Sequence, residues 1–547
     1  PATLGGRMST TESPTPQEHE GTAPAPVKTE PVKTEPRAPR QGRVGLRRTA
    51  SIVSAVSVLA LTTGVVLAQT QVDAPTALSR ELTALNVPAT EVFVTCAAGL
   101  VVAPGTVTGS DSELGGASTI SSAITALTLP RDGVRSTATL SGLDGSGATA
   151  LTAGTDVDLL TTTGAVASSV LRADPIAEQA AFPVGASVIR ADGGDSRGLI
   201  AATCTPSSST TWLAGGRTEI GSSALLVLRN PGSTAASVTL TAWGPTGGLA
   251  VGGGTILVPA QSESVQVLEA LVPQVDRLVL RVDSVGGQVS AVVQTSELNG
   301  LTPAGTDLVV PTLPPLTDQV IPGAILTTST LEDADPSSVR LLNPGTEPAT
   351  VHLSLLGPDS AVNLTDEVGV VVEAGAVSDV SLAGAPPGNY AIHVTSDQPV
   401  VAGAELVRVG LPAPEDPDVP VTDRAWLPAV EPATSSAIAL PGLGTLADGA
   451  ALVLANPGDA VANVSLSAIG SDGAQLEVAD VTVPAGLSLS LDVTQIDQAG
   501  AELTALTITS DQPVSSSITL THGEALGQLI ASLSATLDPQ VERSATV

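Results

Sequence analysis

Apolar strands separated by polar turns fill most of the chain, and one of these turns recurs. In Ala451–Gly458 an apolar run, Ala-Leu-Val-Leu-Ala, ends at Asn-Pro-Gly, and Val464–Ile469 then alternates apolar and polar residues. A short apolar run bounded by turn residues is typical of a buried strand, whereas alternation with period two indicates a strand with one buried and one wet face. The pattern therefore predicts two consecutive β-strands joined by a turn.

The Asn-Pro-Gly turn occurs three times, and each copy lies 113 residues from the next. Proline presets φ near −65° at the first corner of such a turn, glycine accepts a positive φ at the second, and the asparagine side chain can bond nearby backbone. The predicted repeat turns are Asn230, Pro231, Gly232, Asn343, Pro344, Gly345, Asn456, Pro457 and Gly458.

A fourth, degenerate copy precedes these three. Leu127–Gly133 reads Leu-Thr-Leu-Pro-Arg-Asp-Gly at the place of the repeat turn, a strand at Ala138–Ser141 follows it, and Val188–Asp192 matches the later strand Leu278–Asp283. The predicted repeats are residues 70–204, 205–308, 309–422 and 423–547. Units of this length with six to eight short strands predict an all-β fold of tandem immunoglobulin-like β-sandwich repeats. The alternative is a β-propeller with two four-stranded blades per repeat.

The N-terminal part of the chain differs from the repeats. Residues 1–48 are rich in Pro, Thr, Glu and Arg without apolar periodicity, which predicts a disordered cytoplasmic tail. Residues 49–69 contain no charge and follow a cluster of arginines, so they predict a transmembrane helix about 30 Å long with its N-terminal side in the cytoplasm. The alternative is a signal peptide that is cleaved near Ala68, which would release the protein as a secreted chain.

Charge and composition restrict the partners of the body of the chain. Residues 1–48 carry eight basic and five acidic side chains, whereas the remainder carries 14 arginines, no lysine and 49 acidic residues. Aromatic residues make up only 1% of the chain, so its core must be built from Val, Leu, Ala and Ile. An acidic, aromatic-poor body argues against nucleic acid as a partner, because nucleic acid requires positive charge and stacking platforms.

The chain contains two cysteines, Cys96 and Cys204, and both fall on the predicted extracellular side. Two cysteines in an oxidising compartment predict one disulfide, and two unpaired buried thiols are the alternative. Neither cysteine belongs to a CxxC motif or has a histidine cluster nearby, so a zinc site is not predicted.

Other residues with chemical potential have simpler structural interpretations. Gly194–Gly198 matches the G-x-S-x-G motif of hydrolases around Ser196, but strands rather than a strand and a helix flank it, which predicts a hairpin loop. His352 and His393 align with Thr, Ser or Arg in the other repeats, and His522 is placed in a loop. The acidic clusters Asp111–Glu113, Asp144–Gly147 and Glu332–Asp335 lack EF-hand spacing.

The three tryptophans are expected to be packing residues. Trp212 and Trp426 lie near the starts of repeats and are predicted to fill seams between them, while Trp243 shares its position with Leu356 and Ile469 of the other repeats.

Together, the Leu-x-Leu-x-Asn-Pro-Gly turn, the Val-Pro-Ala-Gly segment and Ser510–Val514 resemble Asn-Pro-Gly sandwich repeats of secreted bacterial proteins. With the basic tail, the single anchor and the segment Cys204–Gly216, the layout is similar to an actinobacterial membrane-anchored extracellular family, domain-of-unknown-function family 5719. The resemblance implies location and architecture and transfers no catalytic residue.

We therefore expect a non-enzymatic structural or interaction module at the bacterial cell envelope, without catalytic, cofactor-binding or metal residues. The expected partners are the lipid bilayer, through residues 49–69, and a cell-wall polymer or envelope protein. The expected location is the cell membrane, with the C-terminal domains extracellular. The alternative is a secreted hydrolase or solute-binding protein whose site lies between domains.

Overall fold

The computed structural model describes residues 89–97, 99–101, 119–165, 167–413, 416–496 and 501–539. All of them belong to one compact unit, Ala84–Val547. The predicted tail and transmembrane segment lie outside the described residues. Within the described part, no helix is both long and apolar enough to cross a membrane.

The first repeat consists of two antiparallel sheets, as the sequence predicts for an all-β protein. Its strands are β1 (Val92–Cys96), β2 (Ile120–Leu129), β3 (Ala138–Gly142), β4 (Thr149–Ala150), β5 (Asp158–Thr163), β6 (Ser169–Ala173), β7 (Phe182–Ala191), β8 (Gly198–Thr203) and β9 (Thr205–Pro206). One sheet has the order β4-β3-β6-β1-β9 and the other the order β5-β2-β7-β8.

The second repeat has the same plan with better-formed alternation. Its elements are β10 (Thr210–Ala214), β11 (Ser222–Asn230), β12 (Ala236–Gly244), β13 (Gly247–Leu249), β14 (Ile256–Val258), β15 (Ser262–Val267), the short helix α1 (Leu268–Leu271), β16 (Val279–Val285), β17 (Ser290–Asn299) and β18 (Thr302–Val309). Strand β12 alternates between buried and exposed residues, as period two requires. The sheets are β10-β16-β12-β13, with β14 also on β12, and β15-β11-β17-β18.

In the third and fourth repeats one long strand crosses from the first sheet to the second. The third repeat has β19 (Leu316–Leu326), β20 (Ser338–Leu342), β21 (Ala349–Leu356), β22 (Ala361–Asn363), β23 (Val370–Val372), β24 (Val377–Ser381), β25 (Gly388–Ala413) and β26 (Asp416–Pro428). Strand β25 pairs with β19 and β21 in one sheet and with β20 and β26 in the other. The predicted boundary between residues 422 and 423 falls inside β26.

The fourth repeat closes the described chain. It has β27 (Ala433–Ala439), β28 (Gly449–Asn456), β29 (Ala462–Gly470), β30 (Gln475–Val483), β31 (Leu487–Asp492), a 3₁₀ turn (Val493–Gln495), β32 (Leu503–Glu524), β33 (Gly527–Ser534) and β34 (Thr536–Leu537). Here β32 is the long strand, because it pairs with β27 and β29 in one sheet and with β28 and β33 in the other.

Each repeat contacts its neighbours through the strand at the edge of one of its two sheets. These strands, which we call the ring strands, are β8, β18, β26 and β33. Strand β8 contacts β18, β18 contacts β26, β26 contacts β33, and β33 contacts β8. The ring strands therefore form a closed set, in which the first repeat lies against the fourth.

Apolar side chains fill the space between the two sheets of a repeat. In the second repeat, Leu226 and Leu228 of β11 pack with Val238 of β12 and Leu280 of β16 in one buried cluster. A further cluster combines residues of the first and fourth repeats, including Val184 and Leu520. Since the chain has few aromatic residues, these cores consist almost entirely of aliphatic side chains, as composition predicts.

The Asn-Pro-Gly turns link the two sheets of a repeat. Asn343 directly follows β20 of one sheet, and the chain continues into β21 of the other sheet. Its side-chain Nδ2 donates to the carbonyl oxygens of Glu347 at 2.7 Å and Val372 at 3.0 Å, and its Oδ1 accepts from Gly345 N at 3.0 Å. This three-bond arrangement, the asparagine clamp, confirms that the asparagine caps its turn.

The asparagine clamp recurs with the same partners in the other two copies. Asn230 bonds the carbonyls of Thr234 and Val258, and Asn456 bonds those of Ala460 and Val483. All three asparagines are buried, with at most 1% of their surface exposed. Each clamp therefore satisfies two carbonyls from different segments in a place that water does not reach.

The predicted role of the turn glycines is wrong. Gly232, Gly345 and Gly458 do not adopt a positive φ. Glycine is favoured at these positions for another reason, since a Cβ would lie only 3.0–3.3 Å from the Oδ1 atom of the clamping asparagine. The close approach of the side-chain amide, rather than the backbone conformation, thus disfavours larger residues.

The predicted disulfide is confirmed. Cys96 of β1 and Cys204, which follows β8, are bonded with their Cα atoms 4.3 Å apart. Both residues are buried, and Gly185 of β7 makes room for the bond, because a Cβ there would lie 2.8 Å from Cys204 Sγ. The bridge joins the two sheets of the repeat that lacks an asparagine clamp.

We predict that Asn343→Ala destabilises the full chain by about 1–3 kcal/mol, because two buried carbonyls lose their donor. The matched control is Asn363→Ala in the same repeat, where the asparagine is exposed on β22. The urea-unfolding midpoint measures both effects. Equal midpoints for the two variants would show that the clamp does not contribute to stability.

We also predict that reduction of the Cys96–Cys204 bridge destabilises the protein by about 4–5 kcal/mol, the value of the chain-entropy model for a loop of this length. Urea unfolding with and without reductant measures the effect. The control is the double variant Cys96→Ser/Cys204→Ser, whose midpoint should not respond to reductant. An unchanged wild-type midpoint, with both thiols shown to be free, would contradict the prediction.

Candidate functional site

A network of five charged side chains joins the second and third repeats. Arg217 and Glu297 come from the second repeat, and Asp335, Glu405 and Arg424 come from the third. Glu405 and Arg424 lie on paired strands, whereas Arg217 and Asp335 lie in the loops that precede β11 and β20. The network therefore depends on the contact between neighbouring repeats.

Each arginine of this network contacts both glutamates. Arg217 donates through Nη1 to Glu297 Oε2 and through Nη2 to Glu405 Oε2, both at 2.7 Å. Arg424 lies 2.8 Å from Glu405 Oε1 and 3.0 Å from Glu297 Oε2, and it also pairs with Asp335. The two guanidinium groups thus bridge carboxylates of two repeats.

Burial and charge act in opposite directions on these groups. Burial alone would lower the pKa of Arg424, but the carboxylates of Glu405, Glu297 and Asp335 raise it above its ordinary value. Burial would likewise raise the pKa of Glu405, but Arg217 and Arg424 hold it below its usual range. Burial and the neighbouring Glu405 raise the pKa of Glu297 to about 7 against the attraction of Arg424. With two arginines against three carboxyls, Glu297 is the member that takes up a proton most readily.

Two further acids lie where the ring strands meet. Asp307 of β18 accepts the backbone N–H of Trp426 in β26 through Oδ2 at 2.6 Å, and Asp423 of β26 accepts that of Ile530 in β33 at 2.7 Å. Each acid therefore bonds the next ring strand. Both are fully buried, and the Oδ1 atom of each has no hydrogen-bond partner among the described residues.

Burial raises the pKa of Asp423 to about 8, although the N–H groups of Ile530 and Leu199 and the charge of Arg197 oppose this shift. Burial also raises the pKa of Asp307 well above its usual range, with Asp423 adding repulsion. Neither acid forms an ion pair in the described part of the chain. These carboxyls differ in this respect from the charged network.

His522 lies in strand β32, so its predicted location in a loop is wrong. Its Nε2 is 2.9 Å from Arg190 Nη1, and its Nδ1 is 3.3 Å from Asp448 Oδ2. Arg190 also donates to the carbonyl oxygen of Thr445. The Arg190 guanidinium thus lies against Nε2, the imidazole nitrogen that would have to face a nucleophile in a catalytic triad.

The other two histidines that the structure describes lie on the surface, as their repeat positions predict. His352 is exposed on β21. His393 lies on β25, half-buried, with Nε2 2.9 Å from Asp318 Oδ1.

Ser196 lies in the turn between β7 and β8, which confirms the predicted hairpin loop. Val285–Gly287 and Ser396 of the later repeats do not correspond to this loop. Those residues lie where the chain passes between the two sheets, whereas the Ser196 turn corresponds to the β17–β18 hairpin before a ring strand. The strand Val188–Asp192 is consequently a counterpart of β17 and not of β16. Periodicity in both strands is similar, so the two alignments could not be distinguished from one sequence.

Trp426 and Trp212 fill seams between the second and third repeats, as predicted. Trp426 of β26 packs into the core of the second repeat. Trp212 packs with Leu342 and Val401 of the third repeat and stacks on Trp243, with the ring centroids 5.3 Å apart.

A cavity of about 230 Å³ lies at the junction of the third and fourth repeats. Its lining is mainly apolar, with Leu316, Val320 and Pro457, and includes Asp318 and Glu431 but no serine, cysteine or histidine. Among the described residues, no group of three or more His, Cys, Asp or Glu side chains is placed to hold a metal ion. The clusters of charged side chains with well-defined partners thus lie at the contacts between repeats.

Neither the motifs nor the surface positions that the repeats share predict the buried acids and arginines. One signal was present, because a Thr-Asp pair occurs twice close to a repeat boundary, at Thr306-Asp307 and at Thr422-Asp423. A charged residue recurring inside a predicted buried strand indicates a specific partner, since an unpaired buried charge is costly.

We predict that Glu405→Gln destabilises the protein by about 3–5 kcal/mol, because it leaves two buried guanidinium groups without one of their carboxylates. The exposed Glu367→Gln in the same repeat is the matched control and should change stability by less than about 0.5 kcal/mol. Urea unfolding of the two variants tests this. A Glu405→Gln variant as stable as the control would show that the network is dispensable.

Comparison with known proteins identifies a family but no activity. Residues 159–494 match the model of a family of unknown function, DUF5719, from β5 of the first repeat to the end of the fourth repeat's β31 and beyond. No curated protein matches the chain. Because the match spans more than half of the sequence, the chain belongs to the DUF5719 family.

Proposed function

We propose that this protein is a non-enzymatic interaction module of the bacterial cell envelope, anchored in the membrane by residues 49–69. The main support for the proposal is that the charged side chains between the second and third repeats pair with one another. Arg217, Arg424, Glu297 and Glu405 are all occupied by one another. Their geometry serves to hold repeats together.

We further propose a four-bladed, propeller-like arrangement in which each repeat contributes one blade. The closed contacts of the ring strands support it. The two sheets of a repeat that enclose an aliphatic core retain a sandwich-like character. In this arrangement the outer surfaces of the repeats are the places where a partner binds.

The disulfide supports an extracellular location, because such bonds persist in oxidising compartments. The body of the chain is strongly acidic and lacks lysine. A partner with basic groups, either an envelope protein or a cell-wall polymer, is therefore favoured over nucleic acid.

A hydrolase or solute-binding protein with its site between repeats is the alternative. Apolar side chains meet at two of the interfaces: Trp212 packs against Leu342, and Val320 of the third repeat packs against Val453 of the fourth beside the mainly apolar cavity. These contacts favour the interaction module.

The test uses the full chain in detergent as bait against native envelope extract and purified wall polymer. We expect saturable binding that weakens as salt is raised, because the acidic surface contributes to it. A hydrolase activity screen is run in parallel with Ser196→Ala as control. Absence of binding to both classes of target would contradict the proposal, and turnover abolished by Ser196→Ala would establish the alternative.

A further inference from the structure

Asp307 and Asp423 occupy equivalent places on neighbouring ring strands. Each uses Oδ2 to accept a backbone N–H from the next ring strand. The N–H groups of Ala201 and Leu199 in β8 also act on the two carboxyls, that of Ala201 on Asp307 and that of Leu199 on Asp423. The two acids therefore lie on β18 and β26 and bond the backbone of β26 and β33, respectively.

The site leaves little room for solvent between the strands. At Gly198 of β8, a Cβ would lie 2.7 Å from Thr306 O and 3.0 Å from Asp423 Oδ1. At Gly305 of β18, a Cβ would lie 2.8 Å from Arg424 N. Backbone and carboxyl atoms thus meet at distances that only glycine permits, and a charge placed here would lack hydration.

The charged groups around these acids do not neutralise them through an ion pair. Arg197, in the turn before β8, pairs with Glu524 at 3.0 Å and donates to Thr422 O. Arg408 of β25 donates to the carbonyls of Val407 and Ile325. Both cations act on Asp423 electrostatically without bonding it, and Asp423 in turn repels a negative charge on Asp307. Desolvated carboxyls that form no ion pair favour the protonated form.

We propose that Asp307 and Asp423 form a proton-controlled latch, which keeps the ring strands joined while both carboxyls are protonated and opens the ring when they lose their protons. Each carboxyl releases one proton to solvent on opening. The resulting carboxylates then require water, which they reach only when β18, β26 and β33 separate. The repeats themselves stay folded, because the asparagine clamps contain no group that titrates in this range.

The sign of the effect follows from the direction of the shift. Both acids bind protons more tightly in the folded ring than in an unfolded chain. Their contribution to ring stability is therefore fully present below the ordinary pKa of aspartate and is lost as the pH rises through the folded pKa, which is about 8 for Asp423. Between the ordinary pKa and the folded pKa, the equilibrium constant for opening should rise about tenfold per pH unit for each proton that is released.

Amide hydrogen exchange on the full chain, at about pH 6 and about pH 9 with rates corrected for intrinsic chemistry, tests the latch. We expect protection at Trp426 and Ile530 to fall with rising pH by at least about tenfold, while protection around the clamp at Asn343 is retained. In Asp307→Asn/Asp423→Asn the side-chain amides still accept the backbone N–H groups, so the pH response at Trp426 and Ile530 should fall to the part that Glu297, whose pKa is about 7, contributes. Asp318→Asn, which changes an exposed acid, should behave as wild type.

Three results would overturn the latch. The first is pH-independent protection at Trp426 in the wild type, and the second is an unchanged pH response in the double variant. The third is simultaneous loss of protection at Asn343, which would indicate unfolding of the whole chain. If the double variant does not fold, Asp423→Asn alone should reduce the pH dependence by one proton relative to the wild type, and an unreduced response there would contradict the proposal.

Discussion

The meeting of four strand edges is the constraint on which the rest of this structure depends. A strand at the edge of a sheet presents unpaired backbone N–H groups, and a buried N–H without a partner is destabilising. When β8, β18, β26 and β33 are brought together, their edges are removed from water without forming one continuous sheet. Asp307 and Asp423 accept hydrogen bonds from backbone N–H groups at this meeting point. These side chains therefore satisfy N–H groups that have no backbone acceptor in a neighbouring strand.

The asparagine clamp solves a different problem, within a repeat. A chain that leaves one sheet for the other exposes carbonyls between the sheets, where apolar side chains exclude water. Asn230, Asn343 and Asn456 each donate to two such carbonyls and accept one N–H. The first repeat lacks the clamp and instead has a disulfide between its sheets. The connection of the two sheets within a repeat and the contact of the ring strands between repeats thus rely on separate interactions.

The sequence predicted features that depend on nearby residues. Period-two alternation and the spacing of Asn-Pro-Gly located strands β12, β21 and β29, and the strands that flank Ser196 placed it in a loop. It did not predict which strands of different repeats meet, because that depends on contacts between residues hundreds of positions apart. For the same reason the partners of Glu405 could not be found. The glycine of the turn was assigned to a positive φ, since the approach of Asn343 Oδ1 is a feature of three dimensions that the turn residues alone do not show.

The polar contacts also distinguish one junction from another. Four repeats with similar aliphatic strands could associate in more than one order, because burial of Val, Leu and Ala is not directional. The second and third repeats share the network of Arg217 and Glu405, whereas the first and fourth share the pair Arg131–Asp538 and the contact of Arg190 with His522. An incorrect order would leave a buried guanidinium without a carboxylate, at a cost of about 3–5 kcal/mol per broken pair. Arginine suits this task better than lysine, because its planar group contacts two carboxylates at once, as Arg217 does. The buried charges therefore act against misassembly of repeats whose apolar strands are nearly interchangeable.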